Sequence, residues 1–172
     1  IIPWVPFYKK TLKRRDQRPS RKYYRSKESK KFNIQVSNKL YGKYNLEKLQ
    51  LHSLIHSKLL SKGEKYSDLP TIFMQYILEE KYKTSLESLF IERISKPLKL
   101  QSTFYLPLKY RDESEIVPSE IDTYFRQNKL TGYVHDMTAS IKGGVSGHAG
   151  LFSNAFDVAK IMQMFLQKGE YS

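Results

Sequence analysis

Three short stretches carry side chains whose types and spacing suit chemistry. In Lys65-Tyr66-Ser67-Asp68 a phenol precedes a carboxylate at the mouth of an expected helix. The free N–H groups of a helix N-terminus supply positive potential, which lowers the pKa of a nearby phenol, and a tyrosine so placed serves as a general base. The plainer reading is that Tyr66 packs and Asp68 caps the helix; with thirteen tyrosines in the chain, the local residues alone favour it.

The second stretch is Gly132-Tyr133-Val134-His135-Asp136. The third is the loop from Gly143 to Gly150, which holds four of the chain's eight glycines and His148. Two histidines and an aspartate are zinc-type ligands, but their spacing matches no compact metal motif. The loop is also not a phosphate cradle of the G-x-x-x-x-G-K-[ST] form. Glycines that let a loop pass tightly against another backbone beside a cleft account for it better. His135 and His148 then act either as bracing hydrogen-bonders or as groups lining that cleft.

Helices must position these residues. Asn45 is placed to cap a helix bearing Leu46, Leu49, Leu54 and Ile55, with Gly63 as its stop. Asp68 and Pro70 open a second helix, along which Ile72, Phe73, Tyr76 and Ile77 repeat at helical spacing. Thr84 and Glu87 have the spacing of a capping box for a third, with Leu86, Leu89, Phe90 and Ile94 on its apolar face and Pro97 at its end. Gln101 to about Gln127 reads as loop. The last helix, capped by Ser153 or Asn154 with Asp157 near its positive end, runs through Val158, Ile161, Met162, Phe165 and Leu166 to Gly169. Strand signals are confined to pieces such as FNIQV and TGYVHD, so the chain is expected to be mainly helical.

At 172 residues and 40% hydrophobic content the chain has the size and composition of one compact unit. It has no cysteine, which excludes disulfides and thiolate metal sites. No apolar run is long enough to span a membrane, and IIPWVPFYKK lacks the order of a signal peptide. The absence of an initiator Met suggests a chain cut from something longer. The net charge of +13 is concentrated: residues 1 to 50 carry 15 Lys and Arg against 3 Asp and Glu, and the remainder 15 against 14. The basic segment is Lys9 to Lys31, with Tyr23 and Tyr24 inside it. Basic residues among aromatics suit a phosphate backbone, and an anionic cell-wall polymer would suit them equally well, but no nucleic-acid motif accompanies them, so a solvated surface loop is the favoured reading.

Longer blocks carry a resemblance. YSDLPTIFMQYILEEKYKTSLESLFIERISKPLKLQSTFYLP resembles the segment of serine β-lactamase-like and penicillin-binding proteins that contains their Tyr-x-Asn element. GYVHDMTASIKGGVSGHAGLFSNAFDVAKIMQMF is similar to that family's Gly-x-Val-His-Asp and Gly-His-Ala-Gly-Leu-Phe-Ser blocks, and IIPWVPFYKKTL to the stretch after its His-x-x-Gly-Leu turn. The blocks cover nearly the whole chain in order. The family includes class C β-lactamases, D-alanyl-D-alanine peptidases and related esterases. The wording of the blocks is closest to the C-terminal module of Bacteroidetes proteins in which it follows a glycoside hydrolase family 3 β-N-acetylglucosaminidase domain.

The resemblance implies a periplasmic or cell-envelope protein that needs no cofactor and acts on a peptidoglycan-derived peptide or small acyl substrate. It implies a serine of a Ser-x-x-Lys motif forming an acyl-enzyme, with Tyr66 as general base or proton relay. Asp68 stands at the family's Asn position, where the amide contacts substrate; a carboxylate there removes two N–H donors. His135 and His148 would line or brace the substrate cleft. No serine here has a lysine three residues on, and no Lys-Thr-Gly or His-Thr-Gly occurs, Leu130-Thr131-Gly132 lacking the basic residue. The expectation is therefore a central fragment, inactive alone, whose nucleophile lies before Ile1 and whose later strand lies after Ser172. Its fold would be the mainly α lobe of an α+β, β-lactamase-like domain over 1–172, with few strands. Leu151 and Phe152 should be buried, and an apolar patch should be exposed where the parent's sheet would dock. The alternatives are a non-catalytic cell-wall-binding module and, behind it, a nucleic-acid-binding one resting on the basic segment alone.

Overall fold

A computed structural model describes residues 7–16, 18–57 and 66–170. The expected helix stop at Gly63, Lys65 and the first six residues lie outside them. Helices are α1 (Phe7–Lys10), α2 (Leu46–Ile55), α3 (Leu69–Tyr82), α4 (Leu86–Phe90), α5 (Met137–Ser140) and α6 (Ala155–Leu166). Strands are β1 (Tyr24–Arg25), β2 (Phe32–Ser37), β3 (Leu40–Lys43), β4 (Phe104–Tyr105), β5 (Glu120–Asp122), β6 (Asn128–Leu130) and β7 (Leu151–Phe152). They form an antiparallel sheet in the order β1-β3-β2 and two pairs, β4-β7 and β5-β6. The architecture is mixed α+β.

FNIQV forms β2 as its alternation requires, with Phe32 and Val36 buried. TGYVHD is not a strand: Arg126, described below, takes the carbonyls of Val134 and His135 that a ladder would need. The stretch from Gln101 to Gln127 is loop-rich but contributes β4 and β5 to the two small pairs.

Helix starts follow the expected positions more closely than the expected bonds. Asn45 precedes α2 without a side-chain capping bond. Asp68 likewise makes none to α3, where Pro70 sits in the first turn and Ser67 Oγ accepts from the Leu69 N–H at 3.2 Å. The α4 cap is Ser85, whose Oγ accepts from the Ser88 N–H at 3.2 Å; the Thr84–Glu87 box does not form, and the Glu87 carboxylate accepts from Lys109 instead. Beyond Phe90 the helix widens into a π-helical turn over Ile91–Ser95, ahead of Pro97. Asn154 Oδ1 caps α6 through the Asp157 N–H at 2.9 Å.

One core cluster gathers Phe7, Leu12, Tyr24, Val36, Leu46, Phe125 and Ile141, joining the N-terminal segment to the β1-β3-β2 sheet and α5. A second, of Leu54, Leu69 and Ile72, ties α2 to α3. The outer face of α6 stays open: Phe156 is 81% exposed, Phe165 64% and Leu166 80%. Leu151 is also exposed and Phe152 only half-buried, against the expectation that both are buried; β7 is two residues long and pairs with β4 alone. What anchors α6 is Asp157, whose buried Oδ2 accepts from the N–H groups of Gln101 and Ser102 and from Thr103 Oγ1.

Candidate active site at the mouth of α3

Tyr66 projects from the mouth of α3 with 90% of its surface exposed. Its hydroxyl donates to Asp68 Oδ1 at 3.0 Å, so the carboxylate that was expected to cap the helix faces the phenol instead. This reverses the expected tuning. The hydrogen bond to Asp68, then the Asp68 charge, and to a lesser degree desolvation and the charge of Asp136, hold the Tyr66 pKa above 10.0. A neighbouring carboxylate outweighs the helix terminus because it is a full charge in direct contact.

The glycine-rich loop lies against the first turns of α3. A Cβ on Gly147 would stand 2.2 Å from the Thr71 carbonyl oxygen, and one on Gly150, whose φ is +118°, would stand 2.1 Å from the Gly144 carbonyl oxygen. Only glycine allows these approaches. Gln75, on α3 and 3% exposed, bolts the contact: its Oε1 accepts from the Gly147 N–H at 3.2 Å and from the Lys142 ammonium, and its Nε2 donates to Glu79 at 3.1 Å. Lys142 is almost fully enclosed, 3.7 Å from Glu47 and over the Tyr76 ring. Burial lowers its pKa, opposed by the charges of Glu47 and Glu79.

His148 braces the same loop. Its Nε2 lies 2.9 Å from Asp136 Oδ1 and its Nδ1 2.9 Å from Ser146 Oγ. An ionised carboxylate only accepts, so Nε2 donates to Asp136, while Nδ1 is hydrogen-bonded to the Ser146 hydroxyl. Asp136 also caps α5, accepting from the Ala139 N–H at 2.6 Å. Desolvation raises its pKa, but the His148 bond and charge and the α5 N–H groups outweigh this and hold it below 3.8. Ser146, His148 and Asp136 thus have the composition of a nucleophile relay, yet Ser146 is 1% exposed, and the trio functions as a bracket.

His135 is placed differently. Arg126, fully enclosed, pairs with Asp122 at 2.6 Å and donates to the carbonyls of Val134 and His135, both at 2.6 Å, which fixes the turn leading to Asp136. The His135 ring is largely exposed, with Nδ1 3.3 Å from Glu120 Oε2. The two histidines therefore face different carboxylates. Arg126, Gln75, Lys142 and Ser146 were not among the candidate site residues; only the Asp122–Arg126 spacing of four hinted at a local ion pair.

A cleft of about 460 Å³ lies behind the loop, between β2 (Ile34, Val36) and Leu106, Tyr133, Gly143 and Gly144. Tyr66, Asp68, His135 and His148 are not among its lining residues. Among the described residues no group of three His, Asp or Glu side chains is placed to hold a metal ion, and no helix is long and apolar enough to cross a membrane.

The site is thus a Tyr-x-Asp element at a helix mouth, locked to a glycine-rich loop. Over 118 aligned positions, 62% of this chain, the sequence is 37% identical to the N-acetylmuramyl-L-alanine amidase of Bacillus subtilis (strain 168). Over the same length it is 36% identical to the provisionally named D-alanyl-D-alanine carboxypeptidases of Escherichia coli (strain K12) and Salmonella agona (strain SL483). The chain spans 27% of the length of each of these relatives. No family model matches the chain, and no solved structure does.

Proposed function

We propose that this chain is the Tyr-x-Asp and glycine-loop portion of a serine hydrolase that cleaves a peptidoglycan amide or ester in the cell envelope. The observation that carries the reading is the exposed Tyr66 phenol, presented at the mouth of α3 beside a loop that Gly147 and Gln75 lock in place. The names of the relatives supply the substrate class, N-acetylmuramyl-L-alanine and D-alanyl-D-alanine linkages.

In this reading a serine of a Ser-x-x-Lys motif, supplied by a longer polypeptide, attacks the carbonyl carbon. Its proton passes through Tyr66 to the departing amine or alcohol as the scissile bond breaks, and water then releases the acyl group. Asp68 contacts substrate through acceptor oxygens only, which favours N–H or ammonium donors over a carbonyl. His148 holds the glycine loop through Asp136, and His135 offers a ring at the rim beside Glu120. No cofactor is called for. The chain alone is inactive, and its partner in catalysis is the rest of its own polypeptide.

Intact-mass analysis of the full-length protein after incubation with a β-lactam and, separately, with a fluorophosphonate tests this. The expected result is one adduct on the full-length protein and none on the 172-residue chain, with acylation slowed at least about 100-fold by Tyr66→Phe. A full-length protein that takes no adduct from either reagent would overturn the reading. A second reading, a non-catalytic wall-binding module, draws on the absence of any Ser-x-x-Lys from these 172 residues and would then take its place.

A further inference from the structure

We infer that the face formed by residues 9–31 is a docking surface for a phosphodiester-linked anionic polymer of the cell wall. The choice of a wall polymer rests on the proposed function; the polyanion specificity rests on the structure alone. Between Lys9 and Lys31 stand twelve lysines and arginines and two acids, Asp16 and Glu28, and every one of the cations is exposed. Among the described residues the segment's one ion pair is Lys13 with Asp16, at 3.8 Å. The guanidinium groups of Arg14, Arg15, Arg18 and Arg21 have no carboxylate partner among the described residues; the Arg18 backbone N–H donates to Asp16 Oδ1 at 3.1 Å.

These charges are held on a fixed frame. The Lys13 N–H donates to the Arg18 carbonyl at 2.8 Å and the Ser20 N–H to the Thr11 carbonyl at 3.1 Å. Leu12 and Tyr24 are anchored in the core, where the hydroxyls of Thr11 and Tyr24 share a buried hydrogen bond of 2.6 Å. Like charges held in this way repel one another, and a polyanion relieves the repulsion while releasing its own counterions. Guanidinium groups fork onto phosphate oxygens, and four unpaired arginines within eight residues suit a chain of repeated phosphates.

The same geometry disfavours other polyanionic partners. Tyr24 is buried and Tyr23 half-buried beneath the Lys22 ammonium, so the segment offers no aromatic face on which bases stack. Its one helix, α1, has four residues, too few to read a duplex groove. No large apolar side chain is exposed among the described residues from Phe7 to Lys43, which leaves nothing to insert into a bilayer.

The test is binding of poly(glycerol phosphate) to the full-length protein across a salt series, with a random-sequence DNA duplex and phosphatidylglycerol vesicles measured alongside. The variant R14Q/R15Q/R18Q/R21Q should lose at least tenfold in affinity, and its slope of log K against log salt should flatten by about 3 units. The variant K81Q/K99Q/K129Q/K168Q, which removes the same charge elsewhere, should stay within threefold of the parent. In the unmodified protein, the polymer should shield the four arginines from phenylglyoxal, read by mass spectrometry, which makes the test independent of how the variants fold. Equal losses in the two variants, no shielding, or tighter binding of DNA or vesicles than of the polymer at the same salt would overturn the assignment. Acylation by the β-lactam should be unchanged in the arginine variant, so this surface and the hydrolase reading succeed or fail separately.

Discussion

Gly147 and Thr71 meet so closely that a single methyl group at position 147 would penetrate the Thr71 carbonyl oxygen. One of them belongs to the glycine-rich loop and the other to the first turn of α3, immediately after Tyr66 and Asp68.

Gly147→Ala is therefore expected to cost about 2–3 kcal/mol or more, because the obstacle is backbone and cannot rotate away. Gly150→Ala meets both a carbonyl and a positive φ and should cost at least as much. Gly169→Ala is the comparison: its φ is +91° but nothing lies within 4 Å, so about 1 kcal/mol is expected. Denaturant unfolding of the three variants checks the order.

The Asp136–His148 contact sets an acid limit. The folded-state pKa of Asp136 lies below its unfolded value of about 3.9, so its stabilisation is present above that value and is lost as pH falls through the folded one. Asp136→Asn should cost about 1.5–3 kcal/mol at pH 7, the range for hydrogen bonds to a charged group. The gap between parent and variant should narrow below about pH 4. Thermal unfolding from pH 7 to pH 2 gives the comparison, and a gap that stays constant would show that the Asp136 charge is not what matters.

Lys142 changes stability with pH in the same direction as Asp136, but in an alkaline window. Its folded pKa lies below the unfolded value of about 10.4, so the unfolded chain holds more protons between the two and stability rises with pH in that alkaline window. Lys142→Met keeps the volume and leaves Gln75 bonded to Gly147, so it should change stability at pH 7 by no more than about 1 kcal/mol. It should also abolish the alkaline rise. Urea unfolding at pH 7 and at pH 9.5 distinguishes the two proteins.

Asp68→Asn removes the charge that holds the Tyr66 proton and leaves only a neutral amide oxygen as its acceptor. The Tyr66 pKa should fall toward the ordinary value of about 10, followed by the Cζ resonance of 13C-labelled tyrosine and assigned with Tyr66→Phe. In the full-length protein the pH profile of acylation should move to lower pH in the same variant. An unmoved resonance would mean that the Tyr66–Asp68 hydrogen bond does not persist in solution.

Much of this arrangement was legible before the structure. The mouth of α3 is marked by Asp68 and Pro70, the start of α6 by Asn154, and strand β2 by the alternation of Phe32, Ile34 and Val36. Each signal acts within a turn of helix or a strand pleat, where neighbouring residues decide the outcome. The expectations that failed are those in which a side chain had a choice of partner. Asp68 turned to Tyr66 rather than to the helix, Glu87 to Lys109 rather than to its cap, and the carbonyls of Val134 and His135 to Arg126 rather than to a strand.

The sequence by itself determined where the Tyr-x-Asp element, the glycine-rich loop and the basic segment lie, because helix starts, backbone freedom and charge are local properties. Only the tertiary structure decided what each of them faces. Gln75 meets Gly147 across 72 residues and Asp157 meets Gln101 across 56. Contacts at that separation follow from how α3, α6 and the loops pack, since burial leaves each polar group to take whichever partner the packing brings within reach.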